Sequence, residues 1–417
     1  MSVLSKFKSG SAKKVIENFL SLSVLNIVNY IFPLLIIPIL IKRMGVENYG
    51  IYIFAYTILN YLNLLVQYGF NFSATNKIAK NQENRDLISR TYSSITVIRV
   101  AISAVLILGL ICFQPFIPDT LSIYLFGSGI FLGQGLIPVW LFQGLEKMKF
   151  ITVINLIVRV IVFVLIIFFI ENEKDMGLLM GFQSISFLLG ALASICILHF
   201  VLKIKFVFPK LQELLMELKE GWQLFLSTIG MNFYRESNII ILGLMTNYTF
   251  VGLYAPAEKL VKAVQSFTNI IVTALYPHFS KRFADSSSST MDTFNKTGQI
   301  LCGLFLFGSL LLCVFSPTII NLYLGEYIPN TILDLRILSF IILFGGLNYY
   351  YGIIGMVNMG MDRYFSKAVW ISGLISVVIC TSLSYFLQDL GAAIAMVSAE
   401  IVLFLLILKQ VFTLKDI

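Results

Sequence analysis

Apolar runs alternate with short polar segments along the whole chain, and twelve runs have roughly the length of a membrane helix. About 20 consecutive apolar residues are needed to cross the hydrocarbon core of a bilayer as an α-helix. Each run therefore predicts one spanning helix. The predicted spans are 16–41, 48–70, 92–113, 121–143, 150–170, 176–201, 222–245, 250–279, 297–316, 331–359, 365–387 and 390–411.

Basic residues crowd into every second gap between these runs. With a cytoplasmic N-terminus, the inside segments hold 21 of the 30 Lys and Arg residues and the outside loops hold 4. Cytoplasmic loops carry such an excess in membrane proteins, so both termini are predicted to be cytoplasmic. The other five basic residues lie inside predicted spans, where charged side chains are costly and usually functional. They are Arg99, Arg159, Arg235, Lys259 and Lys262.

Composition supports an all-α, multi-pass protein of the plasma (inner) membrane. The chain is 58% hydrophobic and 12% charged, with a mean hydropathy of +0.87, whereas soluble domains are about one quarter charged. The net charge of +8 is spread over seven cytoplasmic segments, which suits anionic membrane lipids and excludes a nucleic-acid partner. The five cysteines and two histidines show no metal-ligand spacing, so neither a metal nor another cofactor is expected.

The chain divides by pattern into two halves. Segment 202–221 is predicted to form a short amphipathic linker helix on the cytoplasmic membrane surface, since its apolar residues recur at helical spacing opposite charged ones. It separates a lobe of six spans, 1–201, from a second lobe of six, 222–417. An offset of 202 places Gly50 on Gly252. Six spans per half predict parallel repeats related by an axis along the membrane normal.

Two polar stripes lie in register in these repeats. Tyr52, Tyr56, Asn60, Asn63 and Gln67 follow one face of span two, and Tyr254, Glu258, Lys262, Gln265 and Asn269 follow the same face of span eight. Two stripes in register predict a shared, water-filled cavity. The alternative for either stripe is that its polar residues only hydrogen-bond to neighbouring helices and hold them together. The predicted lining residues are Asn60, Asn63, Gln67, Asn155, Asn232, Gln265 and Asn269.

The charges at depth define the candidate site. An Arg or Lys facing lipid costs about 2.5–3.5 kcal/mol at the helix centre, so these residues are expected to face a hydrated lumen or each other. We predict that an anionic group binds to the basic residues Arg159, Arg235, Lys262 and Arg99, since guanidinium groups suit phosphate oxygens. Pairwise neutralisation, as between Glu258 and Lys262, is the alternative. Glu258 and Glu400 are candidates for coupling to H⁺ or Na⁺.

An enzyme is not expected from this sequence. The chain contains no phosphate-binding GxxxxGK[ST] loop, no HExxH and no GxSxG motif. The outside loops are too short to hold the active site of a membrane-embedded glycosyltransferase or polymerase.

The segment from Pro138 to Thr152, Pro-Val-Trp-Leu-Phe-Gln-Gly-Leu-Glu-Lys-Met-Lys-Phe-Ile-Thr, resembles the signature of bacterial polysaccharide flippases. These are the O-antigen or repeat-unit translocases of the multidrug/oligosaccharidyl-lipid/polysaccharide exporter superfamily. Further resemblance lies at 44–52, 324–327, 335–338 and 391–395, so it extends over essentially the whole chain. It implies two six-helix lobes around a central cavity.

The resemblance also implies a function. Its cargo is an oligosaccharide on undecaprenyl pyrophosphate, which passes to the outer leaflet by alternating access. A polysaccharide polymerase and chain-length proteins are the implied partners. The rival functions are a multidrug antiporter, which needs an acidic lumen, and a peptidoglycan-precursor flippase, which usually has more spans. Arg159 and Arg235 match the basic lumen residues of the family.

Overall fold

The computed structural model describes residues 10–112, 121–284 and 289–413, and within these ranges the regular elements are helices. In this part of the chain, nine helical segments are long and apolar enough to cross a membrane by length and composition. The predicted all-α, polytopic class is confirmed. The number of twelve spans and the side on which the termini lie stay predictions.

The helices are numbered here in chain order. The first part of the chain holds α1 (10–44), α2 (46–67), α3 (Phe70–Ala79), α4 (Arg85–Cys112), α5 (Leu121–Gly127), α6 (Gly129–Leu136), α7 (Val139–Gly144), α8 (Met148–Phe169) and α9 (Met176–Cys196). The second part holds α10 (Leu211–Met245), α11 (Tyr248–Ala284), α12 (Ser289–Val314), α13 (Ser316–Leu324), α14 (Pro329–Leu338), α15 (Phe340–Asn348), α16 (Asp362–Leu387) and α17 (Asp389–Thr413).

The boundary between α1 and α2 is a single residue. Gly45 has φ 80° and ψ 164°, a conformation outside the helical region that interrupts an otherwise continuous helical run. A residue without a Cβ adopts a positive φ without steric cost. The break falls inside the gap predicted between the first two spans.

The fourth and tenth predicted spans are not single helices. Residues 121–143 form α5, α6 and the start of α7, and residues 331–359 form α14, α15 and a wider helical segment at Tyr349–Val357. Pro138 lies between α6 and α7, where its missing N–H prevents a continuous hydrogen-bond ladder. Both segments are candidate membrane spans by length and composition, but each consists of more than one helix.

Trp140, in the segment that carries the family resemblance, has a packing role. Its side chain is 1% exposed, and its carbonyl accepts a hydrogen bond from Thr75 Oγ1 of α3 at 3.2 Å. A Cβ on Gly144 would lie 2.8 Å from the Ile78 side chain. Helix α7 thus lies directly against α3, which explains why a bulky aromatic and a small residue are needed at these positions.

The linker helix predicted at 202–221 is not a separate surface element. Residues 203–210 have no regular secondary structure, and the amphipathic residues that follow are the beginning of the 35-residue helix α10. The irregular part is bonded to α4, because Val207 N donates to Ser93 Oγ at 2.8 Å and Lys205 N to Ser89 Oγ at 3.4 Å. The apolar face of the amphipathic segment therefore continues into a span.

The described residues form two compact units. The N-unit contains the residues up to Phe32 together with Ala55–Ile229, and the C-unit contains Pro33–Phe54 and the residues from Gly230 onward. The predicted lobe boundaries differ from this division chiefly at Pro33–Phe54, which packs with the second half of the chain.

A backbone contact within the C-unit explains this grouping. A Cβ on Gly50 would overlap the Tyr248 carbonyl oxygen, and a Cβ on Gly252 would overlap the Val46 carbonyl oxygen. Both pairs are related by the offset of 202, so the contact is reciprocal. Such an arrangement is what parallel repeats about a two-fold axis produce.

Candidate functional site

A polar cavity of about 300 Å³ lies within the N-unit. It is at the small end of the size range of ligand sites. Two arginines and six carboxamide side chains are among the residues that line it, and the lining contains no Asp or Glu. The lining residues are Leu25, Asn29, Tyr56, Asn60, Gln67, Asn71, Arg99, Gln134, Ile137, Val139, Ile151, Asn155, Arg159 and Phe187.

Arg159 reaches the cavity from α8. The spacing of Thr152, Asn155 and Arg159 places them on one helix face, and the last two line the cavity. Arg159 Nη2 donates to Asn29 Oδ1 at 2.7 Å, which holds the guanidinium against α1. The opposite face of α8 includes Val153 and is exposed. The helix therefore presents its polar face to the cavity and its apolar face outward.

Arg99 enters the same cavity from α4 and is only 2% exposed. Its Nη1 donates to the Gly135 carbonyl at 3.2 Å and its Nη2 to Asn71 Oδ1 at 3.1 Å. The guanidinium also lies 5.7 Å from the centroid of the Phe70 ring. None of these contacts, among the residues that the structure describes, supplies a negative charge to offset it. A buried cation of this kind favours an anionic ligand.

Two hydrogen-bond relays orient the carboxamides. Asn71 accepts from Arg99 and donates from Nδ2 to Gln67 Oε1 at 3.0 Å. On the other side, Asn63 Nδ2 donates to Gln134 Oε1 at 2.7 Å. Each relay uses the oxygen of its last member, so Gln67 and Gln134 are left with NH₂ groups as hydrogen-bond donors. The cavity is therefore rich in donors as well as positively charged.

The structure places the other predicted lining residues differently. Asn63 is 3% exposed and supports Gln134 rather than lining the cavity. Gln265 belongs to the C-unit, where its amide packs against Gly345. Asn269 is also in the C-unit, while the Asn232 and Arg235 side chains lie outside the described ones. A cavity shared by both stripes stays a prediction.

Lys259 and Lys262 of α11 are ion-paired. Lys262 Nζ lies 3.0 Å from Glu236 Oε1 and 3.1 Å from Glu258 Oε1, and Lys259 lies 3.9 Å from Glu258 Oε2. This is the pairing alternative that the sequence left open. Two carboxylates offset the charge of Lys262, so its role in anion binding stays a prediction. Arg99 and Arg159 in the cavity are the stronger candidates for that role.

The second predicted coupling residue, Glu400, is also held by a partner. Asn348 Nδ2 donates to Glu400 Oε2 at 2.7 Å and to its carbonyl at 2.8 Å. In the described part of the chain, no group of three or more His, Cys, Asp or Glu side chains could hold a metal ion. A coupling role for Glu258 or Glu400 stays a prediction.

Sequence reasoning missed several polar residues at depth. Asn71 continues the span-two stripe at a spacing of four from Gln67, so its signal was present. Asn29 and Gln134 lie in apolar runs that were not searched for polar residues, and only the packing shows that they meet the arginines. Asp334 and Asp389 are fully buried acids that were not counted. Asp389 was missed because it borders its span.

The comparisons with known proteins agree on one fold. A family described as "Polysaccharide biosynthesis protein" matches residues 15–283. A protein of Escherichia coli (strain K12) named "Putative O-antigen transporter" is 27% identical over 92% of this chain and 93% of its own length. A protein of the same name from Shigella dysenteriae is 26% identical over 95% of this chain and 99% of its own length.

Solved structures show the same architecture. The lipid II flippase MurJ in an inward closed conformation matches with a TM-score of 0.69, at 14% identity, over 96% of this chain and 87% of that one. An inward-facing MATE multidrug transporter of the MOP superfamily matches with a TM-score of 0.64, at 13% identity, over 94% and 95%. At this identity the likeness establishes the fold alone. These relatives are transporters and flippases, which confirms the prediction that the chain is not an enzyme.

Proposed function

Because this chain belongs to the polysaccharide biosynthesis protein family, we propose that it is a flippase for a lipid-linked oligosaccharide. The substrate is a repeat unit on undecaprenyl pyrophosphate, for O-antigen or for a capsule or exopolysaccharide. The chain moves it from the cytoplasmic to the outer leaflet of the plasma membrane. A polymerase and chain-length proteins then use it.

The observation that carries this proposal is the charge of the N-unit cavity. Arg99 and Arg159 are among its lining residues, and the lining contains no carboxylate. Guanidinium groups and amide N–H donors match the oxygens of a pyrophosphate, which accepts hydrogen bonds and carries negative charge. An antiporter for cationic drugs needs the opposite charge, so this cavity argues against the rival transporter.

The mechanism that follows is alternating access. The headgroup binds to the cavity while the polyprenyl chain stays in lipid, and a rocking motion then exposes the sugars outside. One elementary charge moved through 100 mV changes in energy by about 2.3 kcal/mol, so the membrane potential assists the outward passage of an anionic headgroup. Entry of H⁺ or Na⁺ adds to this driving force. Arg235 and Lys262 are proposed to form a second anion contact during the passage.

The test is binding of a polyprenyl pyrophosphate to the purified full chain in lipid nanodiscs. Arg159→Ala should weaken binding about 10- to 100-fold, since a hydrogen bond to a charged group contributes about 1.5–3 kcal/mol. Arg159→Lys should give an intermediate loss because Lys cannot form a bidentate contact. Arg90→Ala, which removes an exposed arginine of α4 outside the cavity lining, is the matched control.

The same variants should be compared in cells that lack their own flippase. Arg159→Ala is expected to lose surface glycan at normal membrane abundance, and Arg90→Ala is expected to retain it. Equal lipid binding by the two variants would remove Arg159 from the site and the cavity from the mechanism.

A further inference from the structure

Two carboxyl groups are buried together in the C-unit. Asp334 lies on α14 and is 0% exposed, and Asp389 is the first residue of α17 and is 1% exposed. The two helices pack against each other. Asn330 lies one turn before Asp334 on the same face of α14 and donates to Asp389, which places the two carboxyl groups side by side. No basic side chain forms an ion pair with either of them among the described residues.

The donors around this pair are distributed unequally. Asn330 Nδ2 donates to Asp389 Oδ2 at 3.1 Å, and Asp389 lies at the N-terminus of α17, where the backbone N–H groups of the first helical turn stabilise a negative charge. Neither oxygen of Asp334 receives a hydrogen bond from an N–H or hydroxyl donor in the described part of the chain. Asp389 is thus solvated as an anion by its own helix terminus, whereas Asp334 has only Asp389 opposite it.

Two carboxylates in contact, both out of water, repel each other strongly enough that one holds a proton. Asp389 has the donors that stabilise a negative charge, so the proton belongs on Asp334. The Asp334 hydroxyl then donates to Asp389. This single proton satisfies the otherwise unpartnered Asp334 and removes the repulsion.

Lys259 and Lys262 of α11 and Arg336 of α14 are engaged with other partners. Lys262 pairs with Glu236 and Glu258, Lys259 lies 3.9 Å from Glu258 Oε2, and Arg336 donates to Ser316 Oγ at 3.0 Å. Tyr254 of α11 interacts electrostatically with Asp334. Glu400 of α17 is about three turns from Asp389 and accepts from Asn348. A proton is therefore the neutralising partner that remains for this pair among the described residues.

The pair lies near the ends of its helices. Gln388, which immediately precedes Asp389, is exposed, and so is Pro329 at the start of α14. Asp334 is little more than one helical turn from that end of α14. The pair is therefore close to the surface of the described structure although both carboxyl groups are buried.

We infer that Asp334, with Asp389 as its hydrogen-bond acceptor, is a proton-binding site of the C-unit that takes up and releases one proton during the transport cycle. This inference rests on the proposed function for its role in transport, but the proton site itself does not. It differs from Glu258, which is ion-paired with Lys262, and from Glu400, which is held by Asn348.

The first experiment detects the proton directly. Infrared spectra of the purified full chain in nanodiscs should contain the C=O stretch of a protonated carboxylic acid at neutral pH. Asp334→Asn should remove this band, while Asp362→Asn, the same substitution at an exposed position, should leave it. Asp389→Asn should move the disappearance of the band to lower pH, because the negative neighbour that retains the proton is gone. If the band persists in Asp334→Asn, or if Na⁺ but not pH changes it, the proton assignment is wrong.

The second experiment tests turnover. Asn can still donate to Asp389 but cannot release a proton, so Asp334→Asn should retain thermal stability and binding of polyprenyl pyrophosphate. In proteoliposomes with an imposed pH gradient, Asp334→Asn should take up protons no faster than protein-free vesicles do. Asp362→Asn should take them up faster than protein-free vesicles. Normal proton-driven transport by Asp334→Asn would reduce the pair to a structural contact and overturn the coupling role. Wild-type protein that binds no polyprenyl pyrophosphate would instead refute the proposed function and leave the infrared result standing.

Discussion

The ion pair between Lys77 of α3 and Glu217 of α10 provides a quantitative test of how this fold is stabilised. Lys77 Nζ lies 2.7 Å from Glu217 Oε1 and 3.2 Å from Glu220 Oε2. The Glu217 side chain is 4% exposed and the Lys77 side chain is 19% exposed. Burial raises the pKa of the Glu217 carboxyl above its usual 4.5, although Lys77 opposes this shift.

Substitution of Lys77 and substitution of Glu217 should destabilise the protein by different amounts. Lys77→Ala leaves a buried carboxylate without its cation, a change that costs 3–5 kcal/mol for fully buried pairs, and about 2–3 kcal/mol here because Lys77 is partly exposed. Glu217→Gln keeps an acceptor for Lys77 and removes the buried charge, so it should cost less than about 1 kcal/mol. The double variant should be more stable than Lys77→Ala, since the unpaired carboxylate is then absent.

The pH dependence follows from the sign of the shift. A carboxyl whose pKa is raised on folding contributes stability below 4.5, and this contribution is lost as the pH rises through the raised value. The defect of Lys77→Ala should therefore shrink on acidification. The assay is the midpoint of thermal unfolding of the purified protein in detergent at a series of pH values. Equal destabilisation by Lys77→Ala and Glu217→Gln, or a pH-independent difference, would refute the reasoning.

Three further predictions follow from other contacts. Gly50→Val should abolish accumulation of the folded protein in membranes, because its Cβ would overlap the Tyr248 carbonyl, whereas Gly109→Ala, with open space at that position, should be neutral in the same blot. Asn71→Leu should destabilise the protein by about 1.5–3 kcal/mol and weaken pyrophosphate binding, since a hydrogen bond of Arg99 is lost; unchanged melting and binding would contradict the relay. Ser93→Ala should lower the unfolding midpoint by the equivalent of about 1–3 kcal/mol, because the Val207 N–H loses its acceptor.

Local pattern predicted much of the fold correctly. Apolar runs predicted both ends of α8 and α16 and the C-terminal end of α4 closely, because the length of a run and its helical period are properties of neighbouring residues. The offset of 202 relates Gly50 to Gly252, and the structure brings their backbones together within the C-unit, but the repeat relation itself stays a prediction. The helix interruptions near Pro138 and Ser339 were missed. Hydrophobicity indicates whether a segment enters the membrane, but it does not indicate whether the backbone hydrogen bonds of the helix are continuous.

The sequence by itself determined the class of the protein, the approximate positions of its helices and the presence of cations at depth, since these depend on composition and spacing. Only the tertiary structure decided which cation meets which partner. It placed Arg99 and Arg159 in one cavity without a carboxylate, paired Lys262 with Glu236 and Glu258, and buried Asp334 against Asp389. Glu258 and Lys262 lie one turn apart on α11, so the sequence offered that pair as an alternative and the packing decided for it. The other partners come from different helices, and the packing that joins those helices is not encoded in the spacing of either helix alone.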